Sequence, residues 1–228
     1  MNLADYATMS LDVADLRTGK TLFLAPRRGG RTSLLRFGYD IGGYAWSPDG
    51  SALCFTRTVG SQTRLVLIRP DGTGARVLAL QPRFADCDWA PDGTRIAASD
   101  GHRIYVISVA DVSLTALTDQ AARDAAPLWS PDGTTIAFLR RETGSSTSFS
   151  GLWTIHADGS EPTLVAGQLS EASWSADSEA IAFVTLAARS KTRTLRQPGL
   201  WVTPLDGSAP VELAPGATEV DWQKLHAG

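Results

Sequence analysis

Histidine is scarce in this chain, with three in 228 residues, and so is cysteine, with two. His102, His156 and His226 fall respectively beside the Asp100-Gly101 turn, at the end of an alternating apolar segment, and in the C-terminal tail. That scatter gives no shared metal centre, which would need several ligands converging on one point. His-Glu-x-x-His, a phosphate loop and a dinucleotide fingerprint are all missing, as is the Gly-x-Ser-x-Gly elbow of a serine hydrolase. No apolar run approaches the roughly 18 residues that cross a bilayer, so membrane insertion is not expected. Met1 to Ser10 has neither a basic start nor an apolar stretch of signal-peptide length. A cytoplasmic location is the default, and a periplasmic parent with its leader removed would read the same. A net charge of -3 disfavours nucleic acid as a partner. No segment sustains a helical 3.6-residue period.

What the chain has instead is a repeat built on tryptophan. Trp46-Ser47-Pro48-Asp49-Gly50 recurs as Trp89-Ala90-Pro91-Asp92-Gly93 and as Trp129-Ser130-Pro131-Asp132-Gly133. It recurs in worn form as Trp174-Ser175-Ala176-Asp177-Ser178, and Val220-Asp221-Trp222 is a last remnant. The intervals of 43, 40, 45 and 48 residues match one four-stranded propeller blade. The third copy is the clearest. Ala125 to Trp129, Thr135 to Leu139, Leu152 to His156 and Pro162 to Val165 alternate and carry β-branched and aromatic residues, as strands do. Ser130-Pro-Asp-Gly133 and Ala157-Asp-Gly-Ser160 are turns: proline presets φ, aspartate accepts from amides ahead of it, and glycine tolerates positive φ.

Applied along the chain, this reading gives an all-β propeller of four-stranded antiparallel blades in one domain, 1–228. Full blades cover about 39–79, 83–118, 123–166 and 169–214. A split blade joins 1–25 to 217–223, so the expected ring has five blades closed by pairing N- and C-terminal strands. The rival is a fragment of a six- or seven-bladed domain. Cys54 occupies a slot that holds Ala97, Ala137 and Ala182 in the other copies, so it and Cys87 read as small core residues, unpaired.

The unit Trp-Ser-Pro-Asp-Gly-x-x-Ile-Ala-Phe, followed by Leu-Trp-Thr-Ile and Asp-Gly-Ser, resembles the WD40-like β-propeller repeat (PD40) of TolB-type domains. The N-terminal propellers of prolyl oligopeptidase-type peptidases share it. The resemblance covers about residues 9–222. It implies a periplasmic Tol-system protein, a peptidase gate or a stand-alone propeller, and most of the motif is structural. The additional N-terminal α/β domain of TolB and the hydrolase domain of the peptidases have no counterpart here.

Function is therefore sought where the copies differ. Residues three before each tryptophan are Gly43, Asp86, Ala126, Glu171 and Glu219, and Asp40, Arg83, Arg123 and Asp124 lie farther out. They predict an acidic channel mouth. Loops 26–40, 140–151 and 187–198 share that face, the last with Arg189, Lys191, Arg193 and Arg196, and predict a basic rim. Varied loops on a rigid scaffold are where binding usually resides. The leading expectation is a non-enzymatic, TolB-like scaffold for a protein or peptide, monomeric by default and without cofactor. The alternatives are a propeller fragment of a larger peptidase-like enzyme and a small-ligand or enzyme site at the mouth. Calcium or another cation on the repeated aspartates is disfavoured, because one carboxylate per turn falls short of a calcium shell.

Overall fold

Seventeen strands were found in a computed structural model of the chain, which describes residues 12–15, 20–23, 41–59, 62–79, 83–142, 150–185 and 199–216. The first blade is β3 (Ile41–Trp46), β4 (Leu53–Val59), β5 (Gln62–Ile68) and β6 (Arg76–Ala79). The second is β7 (Asp86–Trp89), β8 (Arg95–Ser99), β9 (Ile104–Ser108) and β10 (Leu114–Ala116). The third starts with β11 (Ala122–Trp129), β12 (Thr135–Glu142) and β13 (Ser150–His156). Its outer strand is the first part of β14 (Thr163–Trp174), whose second part is the inner strand of the fourth blade. β15 (Ala180–Thr185), β16 (Gly199–Pro204) and β17 (Val211–Pro215) complete that blade. All pairs are antiparallel, and β14 fuses the last two blades into one seven-stranded sheet.

Among the described residues there are therefore four four-stranded blades, not the expected five, and no sheet there is closed by pairing the chain's ends. β1 (Asp12–Asp15) and β2 (Lys20–Phe23) form a separate two-stranded sheet, from Asp12↔Phe23 to Asp15↔Lys20. Closure would require a C-terminal strand hydrogen-bonded beside that pair, whereas the last described strand, β17, pairs with β16 alone. Residues 217–223, from which the closing strand was expected, lie outside the described residues, as do most of 1–25. No helix among the described residues is long and apolar enough to cross a membrane.

The repeat motif folds the same way each time because its turn is self-contained. Ser47 Oγ donates to Asp49 Oδ1 at 2.6 Å and accepts from the Ala52 amide at 2.9 Å. Ser130 with Asp132, and Ser175 with Asp177, repeat the arrangement at 2.5 Å. The last turn position has φ between 64° and 73° in all four copies, which favours Gly50, Gly93 and Gly133. Ser178 adopts it without glycine, and its hydroxyl accepts from the Asp132 amide of the neighbouring blade at 3.0 Å.

These bonds make the turns acid-sensitive. The Ser47 hydroxyl, then the Ser51 amide, hold the Asp49 carboxyl down at about 2, against an ordinary 3.8. The Ser108 hydroxyl, then the Ser113 amide, hold Asp111 at about 2 as well. Asp71, Asp158, Asp177 and Asp206 are lowered too, each chiefly by a neighbouring hydroxyl. The folded values lie below the unfolded ones, so this stabilisation is complete above about pH 4 and is lost as pH falls toward 2. Thermal melts from pH 5 to pH 2 should show the melting temperature falling throughout that window. Asp49→Asn should lose less over the same window. An equal loss in both would remove Asp49 from the explanation.

The core lies between blades. Cys54, Leu65, Leu67 and Leu78 of the first blade pack on Phe84, Trp89 and Ile107 of the second. Ala97 and Ile104 meet Trp129, Ile136 and Ile155, and Ala137 and Leu152 meet Trp174, Ile181 and Phe183. Each large side chain so buried contributes about 1.5–3 kcal/mol. Trp89 Nε1 donates to the Ala45 carbonyl at 3.2 Å, and Trp174 Nε1 to the Leu128 carbonyl at 3.1 Å. In both cases the acceptor precedes the previous blade's tryptophan. The middle interface differs: the Trp129 backbone amide donates to Asp88 Oδ2 at 2.7 Å, and Arg95 lies over the Trp129 ring at 4.8 Å.

One interface is also covalent. Cys54 and Cys87 form a disulfide, which corrects the expectation of two unpaired thiols. The small slot on β4 faces the second blade, and Cys87 on β7 points back at it, both of them buried. Closing a loop of this sequence separation, 33 residues, removes about 3–4 kcal/mol of chain entropy from the unfolded state.

Candidate functional site

The inner strands bring the residues three before each tryptophan side by side. The Gly43 amide donates to the Ala85 carbonyl at 2.9 Å. A Cβ on Gly43 would stand 2.8 Å from the Asp86 Cα, so only glycine allows this approach. Across the next interface the Ala126 amide donates to Asp86 Oδ2 at 3.3 Å. Ala126 has φ of 51° and sits where β11 breaks register between Ala125 and Leu128. Burial pushes the Asp86 carboxyl up, and the Ala126 amide only partly offsets it.

Ala126 and Glu171 in turn line one cavity, of about 320 Å³, between the third and fourth blades. The cavity is walled by Leu128, Ala137, Leu139, Leu152 and Ala172. Its origin lies in the tenth residue after each tryptophan. Thr56 Oγ1 donates across to the Ala85 carbonyl at 3.0 Å, and Ser99 Oγ donates across to the Asp124 carbonyl at 2.9 Å. These hydroxyls tie the first two interfaces together near the inner strands. The third copy has Leu139 there, which cannot donate, and the cavity opens at that interface.

Asp86 and Glu171 are thus brought to the same side of the inner strands, with Ala126 between their blades. Asp124 behaves differently: it is fully buried, and Arg140 Nε and Nη2 donate to its two oxygens at 2.7 and 2.8 Å. The Arg140 guanidinium also lies 5.1 Å from the Phe138 ring centre and 4.8 Å from that of Trp153. Asp124 therefore holds β11 to β12 from within. Arg83 and Arg123 are exposed. Asp40, Arg189, Lys191, Arg193, Arg196 and Glu219 lie outside the described residues, as does most of each loop that carried the expected basic rim.

Sequence reasoning missed the apolar walls of this cavity, since Leu128, Leu139 and Leu152 read as ordinary core. The available signal was the exchange of a hydroxyl for leucine ten residues after the third tryptophan. A second, open cavity of about 490 Å³ lies toward the outer strands of the same two blades, beside Thr163, Leu164 and Pro210. His156 Nε2 stands 3.4 Å from Glu161 Oε2 there. Among the described residues no three metal-ligating side chains cluster.

Comparison with known proteins places this geometry in context. The PD40 family model, described as the TolB beta propeller domain, matches residues 44–197. The structure of TolB from Acinetobacter baumannii is similar, with a TM-score of 0.66 and 16% identity over 90% of this chain. This chain spans only 49% of that protein's length. A TolB candidate from Agrobacterium tumefaciens gives a TM-score of 0.62 at 17% identity, covering 89% of this chain and 87% of that one. Regucalcin, a calcium-binding protein of the same bacterium, gives 0.54 at 13% identity, covering 75% and 58% respectively. At such identities the likeness is one of fold alone.

Proposed function

Because the chain belongs to the PD40 family of TolB-type β-propeller domains, we propose that it is a non-enzymatic scaffold that binds a protein or peptide partner. The partner would sit on the face where the inner strands begin. One observation carries this reading: a largely apolar cavity opens between two rigid blades beside Glu171, with Asp86 one blade away. Pockets of this kind, apolar with few polar groups, are the usual form of a binding site. The repeated aspartates, by contrast, are used up by their own turns, and Asp124 by Arg140.

Immobilised chain should enrich a partner that the Asp86→Lys/Glu171→Lys variant does not, with both proteins melting alike. The same set of captured proteins from both would discredit this face. The Cys54–Cys87 bond further supports an oxidising working compartment, because such bonds seldom persist where thiols are kept reduced. Protein taken from its native cells and alkylated without reductant should show no added label. Two labels would place it in a reducing compartment.

A further inference from the structure

The cavity between the third and fourth blades has a composition that selects its occupant. Its walls are aliphatic, from Leu128, Leu139, Leu152 and Ala137, and the single charged residue lining it is Glu171. Asp86 lies one blade away, joined to the cavity wall through the Ala126 amide. Neither carboxylate meets a cation among the described residues: the ion pairs there are Arg95 with Asp92, Arg140 with Asp124 and His156 with Glu161. A volume of about 320 Å³ exceeds one long side chain and falls short of a folded element. An anion would meet the Glu171 carboxylate at the cavity, with the Asp86 carboxyl behind Ala126. A purely apolar group would leave the carboxylates facing its stem.

We propose that this cavity receives one lysine-type side chain of the partner, its aliphatic stem against Leu128, Leu139 and Leu152 and its ammonium at Glu171. The inference rests on the binding-scaffold reading and names the group that the scaffold grips. Long basic side chains suit such a site because they bury their stems while the charged head stays at the rim. Asp86 adds negative potential from across Ala126, in surroundings drier than bulk water. At the first two interfaces between the described blades the Thr56 and Ser99 hydroxyls bridge the corresponding place.

The test uses n-butylammonium, the lysine side chain without its backbone, titrated into the full chain and followed by amide NMR. Saturable shifts are expected at Ala126, Ala137 and Ala172, with n-butyrate producing none. Glu171→Gln, which keeps the shape of the side chain, should weaken n-butylammonium about tenfold or more while changing n-butanol less than twofold. Ala172→Met, which fills the space, should remove binding of both, with melting checked to confirm the fold. Equal responses to n-butylammonium and n-butyrate, or an unchanged affinity in Glu171→Gln, would overturn the proposal. A chain that captures its partner through Asp86 and Glu171 yet ignores n-butylammonium defeats this inference alone. Loss of partner capture in no variant defeats the scaffold reading first.

Discussion

Trp174→Ala is expected to destabilise the protein by about 3–5 kcal/mol, the usual range for a large aromatic removed from a core. Trp174 is 6% exposed, packs among Ala137, Leu152, Ile181 and Phe183, and donates its indole N–H to the Leu128 carbonyl. The substitution therefore leaves a void between two blades and a carbonyl without its donor. A domain of this size loses about 2–4 °C of melting temperature per kcal/mol, so a fall of roughly 10 °C should appear in a circular-dichroism melt. The contrast is Trp46→Ala. Trp46 is 45% exposed, so less than half the effect should follow, although Trp46 heads the more complete copy of the motif. Equal losses from the two would mean that the tryptophans do not act through the interfaces seen here.

Asp124→Ala should cost a comparable amount, about 3–5 kcal/mol, for a different reason. Asp124 has no exposed surface, and the Arg140 guanidinium is held against it by two hydrogen bonds and lies over Phe138 and Trp153. Truncating the carboxylate leaves a largely buried positive charge without its bidentate acceptor. The reverse truncation, Arg140→Ala, strands a buried carboxylate and should be as harmful. Replacing both, as Asp124→Leu/Arg140→Leu, should recover much of the loss, because neither charge then has to be desolvated. Urea titrations of the four proteins give the coupling directly. A double variant as unstable as the sum of the singles would show that the pair does not act as a unit.

Much of the blade architecture was legible in the spacing of Trp46, Trp89, Trp129 and Trp174. Strand and turn alternate locally, and each Pro-Asp-Gly turn is tied by its own aspartate, which accepts from Ser47 or Ser130 in two copies and from Thr94 in the copy that has Ala90. Three features were not legible. The strand pair at the N-terminus looked like half of a blade, but it forms a two-stranded sheet of its own, and nothing within its eight residues shows which strands would lie beside it. Cys54 looked like a small core residue because the same slot holds alanine elsewhere, and nothing local shows that Cys87 faces it. Asp124 read as a candidate at the channel mouth, because an alternating pattern does not tell an aspartate facing water from one facing Arg140.

The cavity shows the same division. Leu139 is ordinary in its own strand and becomes informative only beside Thr56 and Ser99, which hold the corresponding place in the first two blades. By itself the sequence determined the repeat unit, its strands and its turns, because those depend on hydrogen bonds and side-chain alternation within a few residues. Only the tertiary structure decided that the N-terminal strand pair forms its own sheet, which cysteines meet, where Asp124 is buried and which of the described interfaces stays open. Those depend on the stacking of one blade on the next, where residues about forty apart meet and a single hydroxyl decides whether the seam closes.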